Sequence, residues 1–317
     1  MARMFTDGEL QEMIIPTTER IKNAVKEKDK KTALELLNKL FADYQYAFDL
    51  RVVWDKAFTD YIYENLGGDA LYDVWRLRGW KETSIQPMKI TEERRKECEE
   101  YIEALDIKQV ERWIDREYFQ FRHSHDLRIE WETVLMGYVY RNAGPDALWE
   151  TMGKVTPFYW QHMIDVTVNG TFKEAVLEQV GGLETHGEPL EIMEDDEKVV
   201  VWMRPCGSGQ YLVDKGMYDA PHNCARCKAC HNTWDIDNFP VYCVHAPLQE
   251  MFSIKQIGWP VMVNCPLPEE RNQIGYEFAK QSCGFAVYKD PNMIPEYVYE
   301  KLGFQKPNHI EKPKQWK

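Results

Sequence analysis

The sequence predicts an α+β protein in which an all-α part built from two helical repeats precedes a small mixed α/β part rich in cysteine. Two observations carry this prediction. Residues 10–182 place apolar side chains at helical spacing and contain an internal repeat. Beyond residue 182 the pattern changes to short strand-like runs, which predict a hairpin of strands 190–194 and 198–203 and further strands at 240–245, 259–264 and 284–289. Seven of the eight cysteines fall between Cys206 and Cys283. We place the domains at 1–182 and 183–306, followed by a polar, basic tail at 307–317 that we expect to be loose.

The helical part repeats at an offset of 77 residues. Between residues 49 and 71, eleven of the twenty-three positions are identical to those 77 further on. The match opens with the tripeptide Asp-Leu-Arg, at Asp49 and again at Asp126. Self-similarity at a fixed period indicates a duplicated structural unit, and we delimit the copies at about 14–76 and about 91–152.

Each copy is expected to contain one long helix between two others. Asp29 and Asp106 occupy equivalent positions, where a short carboxylate can accept the unpaired amide hydrogens of a first turn. They predict long helices over residues 30–66 and 107–143. Glycines at positions 67 and 144 suit the helix ends, and a short third helix is expected after each.

One difference between the copies singles out a histidine. His125 stands where the first copy has Phe48, on the apolar stripe of the long helix, so its side chain is expected to point inward. Beside Asp126, such a histidine is a candidate general base or ligand; the alternative is a core histidine with satisfied hydrogen bonds. The repeated Arg51 and Arg128 are interpreted as partners in ion pairs between helices, with a shared pocket as the alternative.

The cysteine cluster predicts a metal site. Zinc would take Cys224, Cys227, Cys243 and His245, a C-x2-C-x15-C-x-H pattern with two close pairs joined by a loop. An iron–sulfur cluster would instead use Cys224, Cys227 and Cys230 at x2-x2 spacing. Its fourth ligand would be one of the other cysteines, namely Cys206, Cys243, Cys265 or Cys283. Glycine after Cys206 favours a metal-binding turn there over a phosphate loop, since no Walker lysine follows.

Composition narrows the function class. The net charge of −13 argues against a nucleic-acid partner, which needs a basic face. The sequence contains no apolar run of 18 residues and no apolar signal segment, so we expect no membrane partner and a cytoplasmic location, where thiols stay reduced. A protein partner or a homo-oligomer stays open.

The leading hypothesis is a zinc-dependent hydrolase or lyase that acts on a small organic molecule. Its basis is an excess of candidate ligands over one closed structural site, which would leave zinc an open position for an activated water. His125 and Asp126 are the candidate catalytic residues. The alternatives are a [4Fe-4S] redox subunit of a larger complex, and a non-catalytic interaction protein with structural zinc.

Overall fold

The computed structural model describes residues 3–78, 90–184, 190–203, 206–264 and 284–316. Helices make up the first part of the chain, and a small antiparallel sheet with shorter helices follows. The helices of the first part are α1 (Asp7–Met13), α2 (Thr17–Lys26), α3 (Lys30–Leu66), α4 (Gly68–Arg78), α5 (Glu92–Glu103), α6 (Ile107–Ala143), α7 (Pro145–Asn169) and α8 (Phe172–Glu184). The broad α+β class with a large helical region is therefore confirmed.

The ends of the long helices follow the local signals. The Asp29 carboxylate accepts the amide hydrogen of Thr32 at 3.0 Å and thereby caps α3. Asp106 caps α6 in the same way. Both helices are 37 residues long and end before a glycine with positive φ, Gly67 at 93° and Gly144 at 90°. The predicted caps and bounds are confirmed. The third helix of the second copy is not short: α7 has 25 residues because one of its faces stays buried almost to its end.

Helices α3 and α6 lie side by side, and positions 77 apart in sequence meet. The rings of Tyr44 and Phe121, which differ by 77, stack with centroids 3.9 Å apart. The ion pairs are reciprocal in the same numbering, with Arg51 on Glu132 at 2.7 Å and Arg128 on Asp55 at 3.0 Å. The interpretation of both arginines as partners in ion pairs between helices is confirmed. The stacked rings are at 44 and 121, and the two ion pairs are centred on 53 and 130; because both offsets are 77, α3 and α6 run parallel and in register.

The sheet has the order β1-β2-β6-β5 and is antiparallel throughout. Its strands are β1 (Leu190–Glu194), β2 (Lys198–Met203), β5 (Val263–Asn264) and β6 (Gly284–Tyr288), while β3 (Arg226–Cys227) pairs with β4 (Phe239–Pro240). The predicted β1–β2 hairpin and the strand at 284–288 are confirmed. Short helices complete the second part, at α9 (Gly209–Asp214), α10 (His245–Ile257) and α11 (Glu296–Glu300).

Two expectations for the second part are wrong. The run from Pro240 to His245 was expected to be a strand, but Val241–Val244 forms a 3-10 turn and α10 starts at His245. Buried positions in α10 recur at helical spacing, which a strand could not place on one face. The terminal segment is not loose, because Trp316 is 2% exposed and packs edge-on against Phe172 and Trp259.

The hydrophobic core joins the two parts of the chain. One cluster of buried side chains runs from Phe5 to Trp316 and includes residues on both sides of position 182. A second cluster, from Ile21 to Phe121, lies within the helical part. Among the described helices, none is long and apolar enough to cross a membrane.

Candidate active site

A cavity of about 530 Å³ lies where the helices meet the cysteine-rich part. Its wall is mainly aromatic and aliphatic. Trp54, Tyr159 and Trp160 come from the helices, and Phe239 and Phe285 come from the second part. A largely apolar cavity with a few polar groups is typical of small-molecule sites. The polar groups on this wall are therefore the candidates for chemistry.

Two of these groups, His125 on α6 and Ser208 in the turn after Cys206, form a chain of contacts with Asp126, which lies behind the wall on α6. The Nδ1 atom of His125 lies 3.1 Å from Asp126 Oδ1, and its Nε2 atom lies 3.5 Å from Ser208 Oγ. His125 is 1% exposed, as its place on the apolar stripe predicts. Burial and the nearby Arg51 and Arg122 lower the pKa of His125 well below its usual value, so the ring is neutral. With the Nδ1 proton donated to Asp126, the lone pair on Nε2 faces the Ser208 hydroxyl.

The turn that carries Ser208 is fixed to α6. Arg122 donates from Nη2 to Asp126 Oδ1 at 3.0 Å and to the Gly207 carbonyl at 3.2 Å. It thereby links the carboxylate that orients His125 to the backbone beside Ser208. Burial raises the pKa of Asp126, and Arg122 opposes that shift. Asp126 thus acts on both the histidine and the turn that faces it.

Two predicted ligands, Cys206 and Cys243, also lie on the cavity wall. A Cβ atom on Gly209 would stand 2.8 Å from Cys243 Sγ and 4.0 Å from Cys206 Sγ. The glycine is therefore required for the thiol of Cys243 to approach the backbone, since real Cβ contacts are not that short. The sequence analysis assigned both thiols to the metal site as alternative ligands, and the structure places both of them near Gly209.

The polar chain continues beyond Ser208. Its hydroxyl lies close enough to the Tyr242 phenol to act on the pKa of that phenol, which burial raises. Arg51 Nη1 donates to the Tyr242 hydroxyl at 2.8 Å and to Glu132 Oε2 at 2.7 Å. Burial raises the pKa of Glu132, and the Arg51 guanidinium opposes this shift. Arg51 thus lines the cavity as well as joining the helices, whereas Arg128 is not on the cavity wall, so the cavity is not a pocket shared by the two arginines.

His245 forms a second neutral imidazole on the wall. Its Nδ1 atom donates to the Tyr242 carbonyl at 2.8 Å, and its ring packs against Trp54. Burial lowers the pKa of His245 to about 4. The Nε2 atom therefore carries a lone pair at neutral pH.

The other predicted ligands that the structure describes lie off the cavity wall. Cys224 and Cys227 are buried, and burial raises the pKa of their thiols to about 11 and about 12. Cys230, which is half-buried, lies near Cys227. Cys265 and Cys283 fall outside the described residues. Within the described ranges no three histidine, cysteine, aspartate or glutamate side chains are grouped closely enough to hold one metal ion, and no disulfide forms.

Ser208, Arg51 and Tyr242 are the site residues that sequence patterns did not assign to chemistry. Ser208 was visible as part of a Gly-Ser-Gly turn, and Arg51 as part of the repeat. These residues come together only because the second part of the chain packs on the helices. Comparison of the chain with models of protein families, with curated proteins and with solved structures finds no match.

Proposed function

We propose that the protein is an enzyme of the hydrolase class that acts on an acyl bond of a small organic molecule bound in the cavity. The observation that carries this proposal is the chain Asp126–His125–Ser208, in which His125 and Ser208 line a largely apolar cavity. A nucleophile beside a neutral base, with that base oriented by a third group, is the general arrangement of nucleophilic catalysis. The cavity supplies room for the substrate on the same wall.

Each residue has a distinct role in this proposal. His125 Nε2 takes the proton of Ser208 as Oγ forms a bond to the acyl carbon. The bond from that carbon to the leaving group then breaks, and His125 returns the proton to the departing atom. Water hydrolyses the acyl-serine by the same steps in reverse order. Asp126 holds the tautomer in which Nε2 can accept a proton, and Arg122 holds Asp126 and the Ser208 turn together.

The two parts of the chain contribute different groups. We interpret α3 and α6 as the long helices of two copies of one unit, because positions 77 apart stack and pair reciprocally. The second copy supplies His125 and Asp126. The cysteine-rich part supplies Ser208 and Tyr242 and closes the cavity over them.

Zinc binding is a separate proposal. The described cysteines and histidines supply two thiols at Gly209 but no group of three donors, so they do not form a zinc site by themselves. A tetrahedral site would need further ligands, and Cys265 and Cys283 are the remaining candidates in the second part. The mechanism above uses no metal. Iron–sulfur and purely structural zinc are the alternatives that metal analysis would separate.

Covalent labelling tests the proposed chemistry. A fluorophosphonate reagent should form an adduct on the peptide that contains Ser208, and p-nitrophenyl esters of short acids should be hydrolysed. His125→Gln should slow labelling about a hundredfold or more, the usual scale of general-base assistance. His123→Gln is the matched control, because that histidine is exposed on the same helix. The proposal is refuted if Ser208 stays unlabelled, or if His125→Gln labels as fast as wild type.

A further inference from the structure

The guanidinium of Arg51 donates hydrogen bonds from Nη1, whereas its Nε–Nη2 edge donates none to the residues that the structure describes. Its Nη1 atom makes both hydrogen bonds, to Glu132 and to Tyr242. Its Nε atom is buried and has no hydrogen-bond partner in the described part of the chain, and Nη2 donates no hydrogen bond to those residues. Arg51 is 4% exposed and lines the cavity. The Nε–Nη2 edge is thus a pair of parallel donors without a hydrogen bond to the described residues, on a side chain that lines the cavity.

An unpaired edge of this kind favours one type of ligand. A buried donor without a partner costs about 1–3 kcal/mol, and an apolar wall offers water few further contacts. A carboxylate presents two acceptors with the spacing of a guanidinium edge, and the resulting bidentate pair is among the stronger hydrogen-bonded contacts. The rings of Trp54 and Tyr242 flank the guanidinium, with their centroids 5.3 Å and 5.9 Å from its carbon. They leave an aromatic surface beside the donors.

Other charges on the cavity wall are already paired with one another. Lys39 bridges Asp43 and Glu184 at 2.7 Å and 2.8 Å, and Glu178 lies 3.2 Å from His162. Burial works against the charged form of Arg51, but Glu132 and Tyr242 outweigh it and raise the pKa of Arg51 above its ordinary value. Arg51 therefore stays cationic, with donors left over after its protein partners are counted.

We propose that the substrate is a small organic carboxylate with an apolar or aromatic body, and that the Nε–Nη2 edge of Arg51 binds its carboxylate group. That this carboxylate is a substrate rests on the proposed function, whereas the carboxylate-binding site rests on the geometry of Arg51 alone. Because Tyr242 links Arg51 to Ser208, the carboxylate would be held near the acyl bond that Ser208 attacks.

A matched pair of ligands tests this inference. Isothermal titration would compare 3-phenylpropanoate with neutral 3-phenylpropanamide, using Ser208→Ala protein so that binding is measured without turnover. The carboxylate should bind about tenfold or more tightly than the amide, as expected for a hydrogen-bonded charge. The double variant Arg51→Met/Glu132→Gln should lose this preference, while Arg128→Met/Asp55→Asn should keep it. Arg128 sits 77 positions further on and does not line the cavity.

Two further variants separate binding from folding and from chemistry. Glu132→Gln alone leaves the cation without its competing carboxylate and should strengthen binding of 3-phenylpropanoate. Arg51→Lys keeps the positive charge and can replace the double variant in this test if the double variant does not fold. It should weaken carboxylate binding severalfold, because lysine lacks the bidentate edge of the guanidinium. Equal binding of acid and amide by the Ser208→Ala protein, or a preference that survives loss of the Arg51 edge, would overturn the inference. Failure of Ser208 labelling with an intact Arg51-dependent preference would overturn only the proposed reaction.

Discussion

Removing the carboxylate of Glu132 should destabilise the fold more than removing the carboxylate of Asp55. The two ion pairs are reciprocal and nearly equal in length, at 2.7 Å and 3.0 Å, so their direct Coulomb attractions differ by roughly a tenth. Their burial differs much more. Side chains of the first pair are 5% and 0% exposed, while those of the second are 12% and 19% exposed.

The difference in burial sets the expected magnitudes. Glu132→Gln leaves a guanidinium in the core without a counter-charge, and breaking a buried pair in this way costs about 3–5 kcal/mol. The amide oxygen can still accept from Arg51 Nη1, so we expect the lower end, about 3 kcal/mol. Asp55→Asn leaves Arg128 partly exposed to solvent, so we expect a smaller loss of about 1–2 kcal/mol, between that of an exposed pair and that of a fully buried one.

Urea unfolding followed by tryptophan fluorescence and circular dichroism gives both free energies. Replacing both members of the buried pair, as in Arg51→Met/Glu132→Gln, should recover part of the loss, because no uncompensated charge then remains. The reasoning fails if Asp55→Asn costs as much as Glu132→Gln, or if the double variant is less stable than Glu132→Gln alone. Either result would mean that desolvation of Arg51 does not dominate the energy of this pair.

Three further predictions concern other parts of the molecule. Glu250 is fully buried, and burial raises its pKa to about 7. The stability that its neutral form contributes is thus complete below about pH 4.5 and is lost as the pH rises through 7. Unfolding at several pH values should therefore show wild type losing about 3 kcal/mol relative to Glu250→Gln over this range, whereas exposed Glu311→Gln should show no such trend. Trp316→Ala should lower the unfolding free energy by about 3–5 kcal/mol, and exposed Lys314→Ala by little; equal losses would contradict the packing of the terminal segment. Elemental analysis of protein purified without oxygen should find about one zinc per chain and no colour, whereas about four irons with acid-labile sulfide, or no metal at all, would contradict the zinc proposal.

Local signals in the sequence predicted local structure well. Asp29 and Asp106 act within a few residues of themselves, so their capping roles follow from sequence spacing alone. The β1–β2 hairpin likewise depends on one short connection. The run at 241–244 was harder, because a short apolar stretch has no periodicity long enough to separate a strand from a helical turn.

The site could be predicted only in part, because most of its contacts join distant positions. The inward direction of His125 followed from its place on a helical stripe, and Asp126 is its neighbour in sequence. The contact of His125 with Ser208 joins positions 83 residues apart, and the contact of Arg51 with Tyr242 joins positions 191 residues apart. No periodicity carries information over such distances. The cysteine spacing predicted one site within the second part of the chain. The structure instead places Cys206 and Cys243 on the cavity wall and the other described cysteines away from it.

The candidate site lies where α3 and α6 differ in sequence at equivalent positions. On one side, the guanidinium of Arg128 lies over the ring of Phe48, 4.9 Å from its centroid. On the other side, position 125 holds a histidine in place of that phenylalanine, and Arg51 acts on its pKa. A hydrocarbon ring can cover a cation but cannot accept a proton, whereas a neutral imidazole can. The cysteine-rich part then brings Ser208 and Tyr242 to the side that holds the histidine. Base, hydroxyl and cation therefore meet at one of two otherwise equivalent places on the helix pair.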